Sequence, residues 1–320
     1  MTKDAKQTKT GKAFEYAVLN AFLERLKLLT KVLVVENKPY LTSKKHFNNF
    51  NEIEQGLYNL NASFAVNFLI DLEPRLSNGV NTSDILQLEI VPDKQGQSGD
   101  VRDVLAIRSL QKWEIGVSAK NNHRAVKHQR LSTDLDFGKQ WIGISCSMGY
   151  FESILPIFNY LEECKKLKMR WKEVPNKSAE VYVPVLQAFV KEIEKLNKEN
   201  PEIFPQLLVK YLVGNKDFYK VIKRKKKVEI QAFNLYGGLN LPFDKIKSKY
   251  KISKVIFPDR LIEIAFKKNS KTTVNLVFNE GWQFSFRLHS AEGLVVSSLK
   301  FDVNLVSAPH SLFVNHLSLG

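Results

Sequence analysis

A chain of 320 residues is long enough to bury one large core, or a core and a smaller domain. Its 48 Lys and Arg against 33 Asp and Glu leave a formal charge of +15, which suits a polyanionic partner without identifying one. Two cysteines, Cys146 and Cys164, exclude a disulfide framework and zinc spacing. With a polar, basic start and no run near the roughly 20 apolar residues of a membrane span, the chain is expected to be soluble and intracellular.

The first element is a helix through Thr10 to Leu26, with Ala13, Phe14, Ala17, Val18, Ala21 and Phe22 as its apolar stripe. Glu15 falls in its first turn, where the helix dipole favours an acid. Lys31 to Glu36 reads as a strand or helix end, Glu52 to Leu72 as a helix, and Leu86 to Val91 as an alternating strand. Asp93 follows that strand directly, but polar residues Lys94 to Ser98 come next, so it is set aside as a catalytic acid.

A hairpin comes next. Asp103 opens a strand to Arg108, Ser109 to Lys112 form the turn, and Trp113 to Lys120 return. In the returning strand Glu114, Gly116, Ser118 and Lys120 share one face. The pairing places Arg108 opposite Trp113 and Asp103 opposite Ser118, with Lys120 one same-face position further, roughly 7 Å along the strand. Glu114 lies roughly 20 Å from Lys120, too far to share a metal ion with it. An acid and a lysine meeting at a sheet end suit magnesium-dependent phosphodiester cleavage. The carboxylate holds the metal, and the lysine orients or deprotonates water and offsets phosphate charge.

Asn121, Asn122, His123, Arg124, Lys127, His128 and Arg130 crowd into the next ten residues, expected to enter a short helix. Amides and cations read base edges and hold phosphates. A metal site at His123 and His128 is disfavoured, because a spacing of five puts them on different helix faces. Lys139 to Met148 reads as a buried strand with Cys146 in the core, followed by helices near 151–171 and 184–198.

Pro201 and Pro205 mark a break, and Gln206 to Val213 reads as one more helix. Strand-like runs then follow at Val228–Phe233, Leu261–Phe266, Thr272–Phe278, Trp282–Leu288 and Leu299–Val306. The expected division is a nuclease core over 1–205 and a strand-rich DNA-recognition module over 206–320. The run Lys220 to Lys227 reads as a solvated charge tract or a DNA-backbone contact. Arg287 and His289 alternate along one strand face and are candidates for base contacts. Asp259 and Glu263, with Lys267 roughly 13 Å from Glu263 along the strand, have the wrong spacing for a shared metal.

The acid-opened strand followed by a strand ending in lysine resembles the PD-(D/E)XK nuclease superfamily, except that Ser118 stands where an acid is usual. Members often carry a glutamate on the first helix in a Gly-x-x-Phe-Glu context. That resemblance implies Glu15 as the missing carboxylate, with Asp100 as the rival donor. Gly99 to Leu105, Glu114 to His123, Val126 to Ser132, Asp136-Phe-Gly138 with Trp141, and the tail stretches Gln283 to Ala291 and Ser298 to Leu305 are similar to the HaeIII-type restriction endonucleases. This resemblance implies an α/β restriction-endonuclease-like mixed sheet flanked by helices, with a strand-rich C-terminal module. It also implies magnesium-dependent cleavage of double-stranded DNA at the palindrome GGCC. A homodimer in the bacterial cytoplasm, working beside a DNA methyltransferase, would be expected. Asp103, a second acid (Glu15 or Asp100) and the Ala119 carbonyl would hold Mg2+, and Lys120 would act on the water. The competing readings are a non-catalytic DNA-binding module on a decayed nuclease fold and a non-specific repair or junction nuclease.

Overall fold

The computed structural model describes residues 3–77, 84–92, 99–122, 125–290 and 293–319. Asp93 and His123, both weighed above, lie outside the described residues. The chain divides into two compact units, each assembled from distant segments. The first comprises Met1–Arg124, Asn215–Val255 and Ser311–Gly320; the second comprises Ala125–Gly214 and Ile256–His310.

The first unit holds the helices α1 (Lys3–Leu26), α2 (Lys38–Asn48), α3 (Glu52–Leu72) and the single turn α4 (Pro74–Ser77). Local chemistry sets their starts. Asn37 and Asn51 accept the Tyr40 and Glu54 amides as N-caps of α2 and α3. The sheet contains β1 (Val32–Val34), β2 (Leu86–Ile90), β3 (Val104–Arg108), β4 (Trp113–Asn121), β6 (Phe218–Lys223), β7 (Lys227–Phe233) and β12 (Phe313–Ser318), in the order β1-β2-β3-β4-β6-β7-β12. It is mixed: β1–β2 and β4–β6 are parallel, and the other pairs are antiparallel.

Alternation assigns the two faces of this sheet. Val117 and Ala119 of β4, Tyr219 and Val221 of β6, and Val228, Ile230 and Ala232 of β7 join one core with Ala13, Phe14, Ala17 and Val18 of α1 and Ala65, Val66 and Leu69 of α3. The opposite face carries Glu114, Gly116, Ser118 and Lys120. Replacing Phe14, which is fully buried, by alanine would cost about 3–5 kcal/mol. At the far end of the hairpin the Arg108 guanidinium is wholly buried and donates to the carbonyls of Arg75, Leu76 and Asp84 at 2.7–2.9 Å. That clamp ties down the turn end of the hairpin.

The second unit holds α5 (Phe137–Ile142), α6 (Met148–Lys166), α7 (Val183–Glu199) and α8 (Phe204–Val213). Its antiparallel sheet contains β5 (Ala125–Leu131), β8 (Leu261–Phe266), β9 (Thr273–Phe278), β10 (Gln283–His289) and β11 (Leu299–Ser307), ordered β5-β11-β10-β9-β8. Its inner face is aromatic. Phe286 and Phe301 lie against Phe189 of α7, and Phe286 stacks on Trp141 of α5.

Three expectations are corrected here. The segment after Lys120 is strand β5 instead of a helix, because its alternating residues pair with β11. Residues 139–148 are not a strand. Asp136 caps the short helix α5 through the Lys139 amide, and the left-handed Gly143 ends it. The division does not fall near residue 205 either. β6, β7 and β12 complete the nuclease sheet, whereas the helices from α5 to α8 belong with the later strands. Consecutive segments do not reveal a sheet that closes through pairings some 100 residues apart.

Candidate active site

The hairpin register is the expected one. Arg108 pairs with Trp113 and Val104 with Val117, and the Asp103 amide donates to the Val117 carbonyl at 2.9 Å. Asp103 therefore sits beside Ser118 at the mouth of the sheet. Three donors converge on one of its oxygens, Oδ2: Lys120 Nζ at 2.9 Å, the Ala119 amide at 2.8 Å and Ser118 Oγ at 3.3 Å. The other oxygen, Oδ1, takes none of these bonds. Ser118, in the place of the usual acid, supports the Asp103 carboxylate as a donor.

Glu15 projects into the same place from α1 and is buried, with Lys12 Nζ 3.0 Å from its Oε2. Burial pushes its carboxyl up to about 7, and the negative charge of Asp103 adds to the push, while Lys12 and Lys120 oppose it. For Lys120, burial works against the ammonium, but Asp103 and Glu15 outweigh it and hold its pKa above the ordinary lysine value. The site thus presents two carboxylates and a charged lysine.

Sequence reasoning missed one residue. Lys220 pairs with Ser118 across the parallel β4–β6 contact and is buried. The run reads from sequence as a solvated tract or a DNA-backbone contact, but Lys220 to Lys223 lie in β6, and only residues 224–226 turn into β7. Burial brings its ammonium down to about 7, helped by the charge of Lys120. The signal was present in Phe218-Tyr-Lys-Val-Ile222, an apolar strand pattern around a lysine.

Asp100 does not join Asp103. Its carboxylate is engaged at both oxygens by Arg102, at 2.8 and 2.7 Å, and Arg102 also reaches Glu114 at 2.8 Å. Gly116 permits this, since a Cβ there would stand 2.0 Å from Arg102 Cδ. Asp100 and Glu114 thus hold Arg102 across the sheet face. Among the described residues, no group of three or more His, Cys, Asp and Glu side chains is placed to hold a metal ion. An oxygen donor set of Asp103, Glu15 and a backbone carbonyl still suits a hard divalent cation that retains water, as magnesium does. The mutual repulsion of the two carboxylates is what such a cation would relieve.

The expected DNA contacts divide. Lys127 is buried. Its Nζ donates to the Tyr211 carbonyl at 2.7 Å and lies 3.3 Å from the centre of the Tyr211 ring, so it belongs to the second unit's packing. Asn121 ends β4, and the amide of Asn122 just beyond it is tied to the Lys223 carbonyl at 3.0 Å. His128 and Arg130 from β5 and Arg287 and His289 from β10 flank β11 on one sheet face. One row reads His128, Asp302, Arg287 and the next Arg130, Lys300, His289. Asp259 binds the Asn279 side chain at 2.7 Å, the structural role expected of it.

An acid and an ammonium fixed at a strand end, on a mixed sheet backed by a glutamate-bearing helix, define the nuclease class with a restriction-endonuclease-like fold. Comparison with known proteins narrows that class. A sequence profile of the HaeIII restriction endonuclease family matches residues 11–309. The type II restriction enzyme HaeIII of Haemophilus aegyptius is 41% identical over 310 residues, covering 96% of each chain. No solved structure matches. This chain belongs to the HaeIII restriction endonuclease family. It is a type II site-specific deoxyribonuclease acting on double-stranded DNA, and not a non-catalytic binding module. Among the described residues no helix is long and apolar enough to cross a membrane.

Proposed function

We propose that the chain cleaves double-stranded DNA at GGCC in a magnesium-dependent reaction, with Asp103, Glu15 and Lys120 as the working side chains. The observation that carries this reading is the convergence of Lys120 Nζ, the Ala119 amide and Ser118 Oγ on Asp103 Oδ2. It orients the carboxylate and leaves Oδ1 directed to other work. Asp103, Glu15 and the Ala119 carbonyl would hold the magnesium ion, which when bound supplies Lewis acidity to the phosphate and acidifies its water.

Lys120 remains an ammonium beside Asp103, so its part is to orient the attacking water and to stabilise charge growing on the phosphate. It is not a proton acceptor in that state. Burial of Glu15 ties its ionisation to the arrival of the cation. The GGCC target comes from the family resemblance. A palindrome favours a two-fold protein, so a homodimer with one active site per strand follows. A host carrying this activity would also need a methyltransferase to protect its own DNA. The outer face of the five-stranded sheet, with Arg130, His128, Arg287, His289 and Lys300, is the proposed DNA-reading surface.

The test is digestion of a sequenced, unmethylated plasmid by wild type, Asp103→Ala and Lys120→Ala, with magnesium and with EDTA. Discrete magnesium-dependent fragments ending within GGCC, absent for both variants, are expected. Cleavage that persists in Asp103→Ala, or fragments without a common end sequence, would overturn the reading.

A further inference from the structure

The outer face of the five-stranded sheet gathers cationic side chains around a single carboxylate. Asp302 of β11 lies between His128 of β5 and Arg287 of β10 in the register, with Lys300 and Arg130 in the adjoining row. The His128 Nδ1 atom is 2.7 Å from Asp302 Oδ1, and His289 Nε2 is 3.1 Å from Asp302 Oδ2. One carboxylate therefore holds two imidazoles from strands on either side of it, joining residues 174 positions apart.

The protonation of His289 follows from its partners. Its Nδ1 lies 2.9 Å from the Ser290 carbonyl, which can only accept, so that nitrogen carries a proton. Its Nε2 lies 3.1 Å from the Asp302 carboxylate. Asp302 pushes the pKa of His289 up, and the two imidazoles beside it in turn hold Asp302 well below the usual carboxylate range. His128 is left with a defined orientation. Nδ1 donates to Asp302, which sets the plane of the ring. Its side chain is 43% exposed, against 24% for Asp302, so the histidine stands outermost.

We propose that Asp302 is a positioning residue for sequence readout, fixing the exposed His128 ring so that it contacts a base edge of the target. This rests on the sheet face being the surface that meets DNA. A base contact needs the fixed ring that Asp302 provides, whereas a phosphate is satisfied by a mobile lysine. Asparagine at 302 would keep the shape but turn an N–H towards one of the imidazole donors, and so release it.

The test is binding, with calcium in place of magnesium, to a short duplex carrying GGCC and to one with a single base pair of the site changed. Wild type, Asp302→Asn, His128→Gln, the double variant and Arg287→Ala are compared across a salt series, with thermal melts as a folding control. Asp302→Asn and His128→Gln are each expected to weaken target binding by about tenfold. The double variant should be no worse than His128→Gln alone, and the salt slope and affinity for the altered duplex should stay near wild type. Asp302→Glu, which keeps the charge, should restore part of the loss and stands in for the asparagine variant if that fails to fold.

Loss in His128→Gln with none in the Asp302 variants would overturn the positioning role while leaving the surface intact. Additive losses would overturn it as well, because Asp302 would then act independently of His128. An equal loss on both duplexes with a shallower salt slope would place His128 on phosphate and overturn the readout. Wild-type binding by His128→Gln and Arg287→Ala alike would remove the DNA surface itself.

Discussion

Lys120 Nζ lies 2.9 Å from Asp103 Oδ2, joining the residue that leads into β3 to the end of β4 as one charged pair. The pair holds both side chains at the site, so orientation is prepaid. Cleavage by Lys120→Ala or Asp103→Asn should fall by about 10²–10³-fold or more under single-turnover conditions. Because Lys120 stays charged above the ordinary lysine value, it should not bend the pH–rate profile between pH 7 and 9. A profile in that range that flattens specifically in Lys120→Arg would contradict the ammonium assignment.

Glu15 predicts a linkage between metal and stability. Its carboxyl is raised from an ordinary 4.5 to about 7, so between those values the folded state holds a proton that the unfolded chain has lost. Stability from this group is complete below pH 4.5 and is lost as the pH rises through 7. At pH 8 Glu15→Gln should therefore be more stable than wild type without metal, by up to about 3 kcal/mol less the lost Lys12 pairing. Divalent cation should then raise the wild-type melting temperature and move the variant little. Thermal melts at pH 5 and pH 8, with and without magnesium, read both effects.

Asp100 and Asp103 stand three residues apart but should behave as different kinds of residue. Asp100 is taken up by Arg102, whose side chain crosses the sheet over Gly116. Gly116→Ala must displace that buried side chain, at a cost of about 1–3 kcal/mol, and Asp100→Asn should destabilise through the broken ion pair. In Asp100→Asn the magnesium concentration for half-maximal cleavage should remain that of wild type. A rise of tenfold or more would return Asp100 to the metal site.

The hairpin was legible because its chemistry is local. Alternation from Trp113 to Lys120 and the turn at Ser109 to Lys112 set the register, and register alone brought Asp103 to Ser118. Glu15 was legible only through family likeness, since nothing within α1 distinguishes it from a surface acid. Lys220 is legible only as a strand residue, and Asp302 carries no local sign of a role. Each acquires its role from a strand far away in sequence, through the β4–β6 and β5–β11 pairings. The same long-range pairing explains why the sequence of β5 alone suggests a helix. Its polar residues are amphipathic only once β11 lies beside them, with Lys127 and Leu131 buried and His128 and Arg130 facing out.

Lys127 offers the sharpest separation between charge that binds DNA and charge that packs. It lies in the same basic segment as His128 and Arg130, yet it is buried against Tyr211. Burial lowers its pKa from 10.5 to about 8, so the folded state gives up this proton before the unfolded chain does. The penalty for the buried charge is complete below pH 8 and is relieved as the pH climbs towards 10.5, by about 3 kcal/mol across that range. The stability of wild type relative to Lys127→Met should therefore increase from pH 7 to pH 10, a difference measured by denaturant unfolding of both proteins. DNA binding by Lys127→Met should keep the wild-type salt slope, while Arg130→Ala should lower that slope by about one if its guanidinium meets a phosphate. A slope lowered in Lys127→Met would mean that the lysine leaves Tyr211 when DNA binds, and its burial would then describe only the free protein.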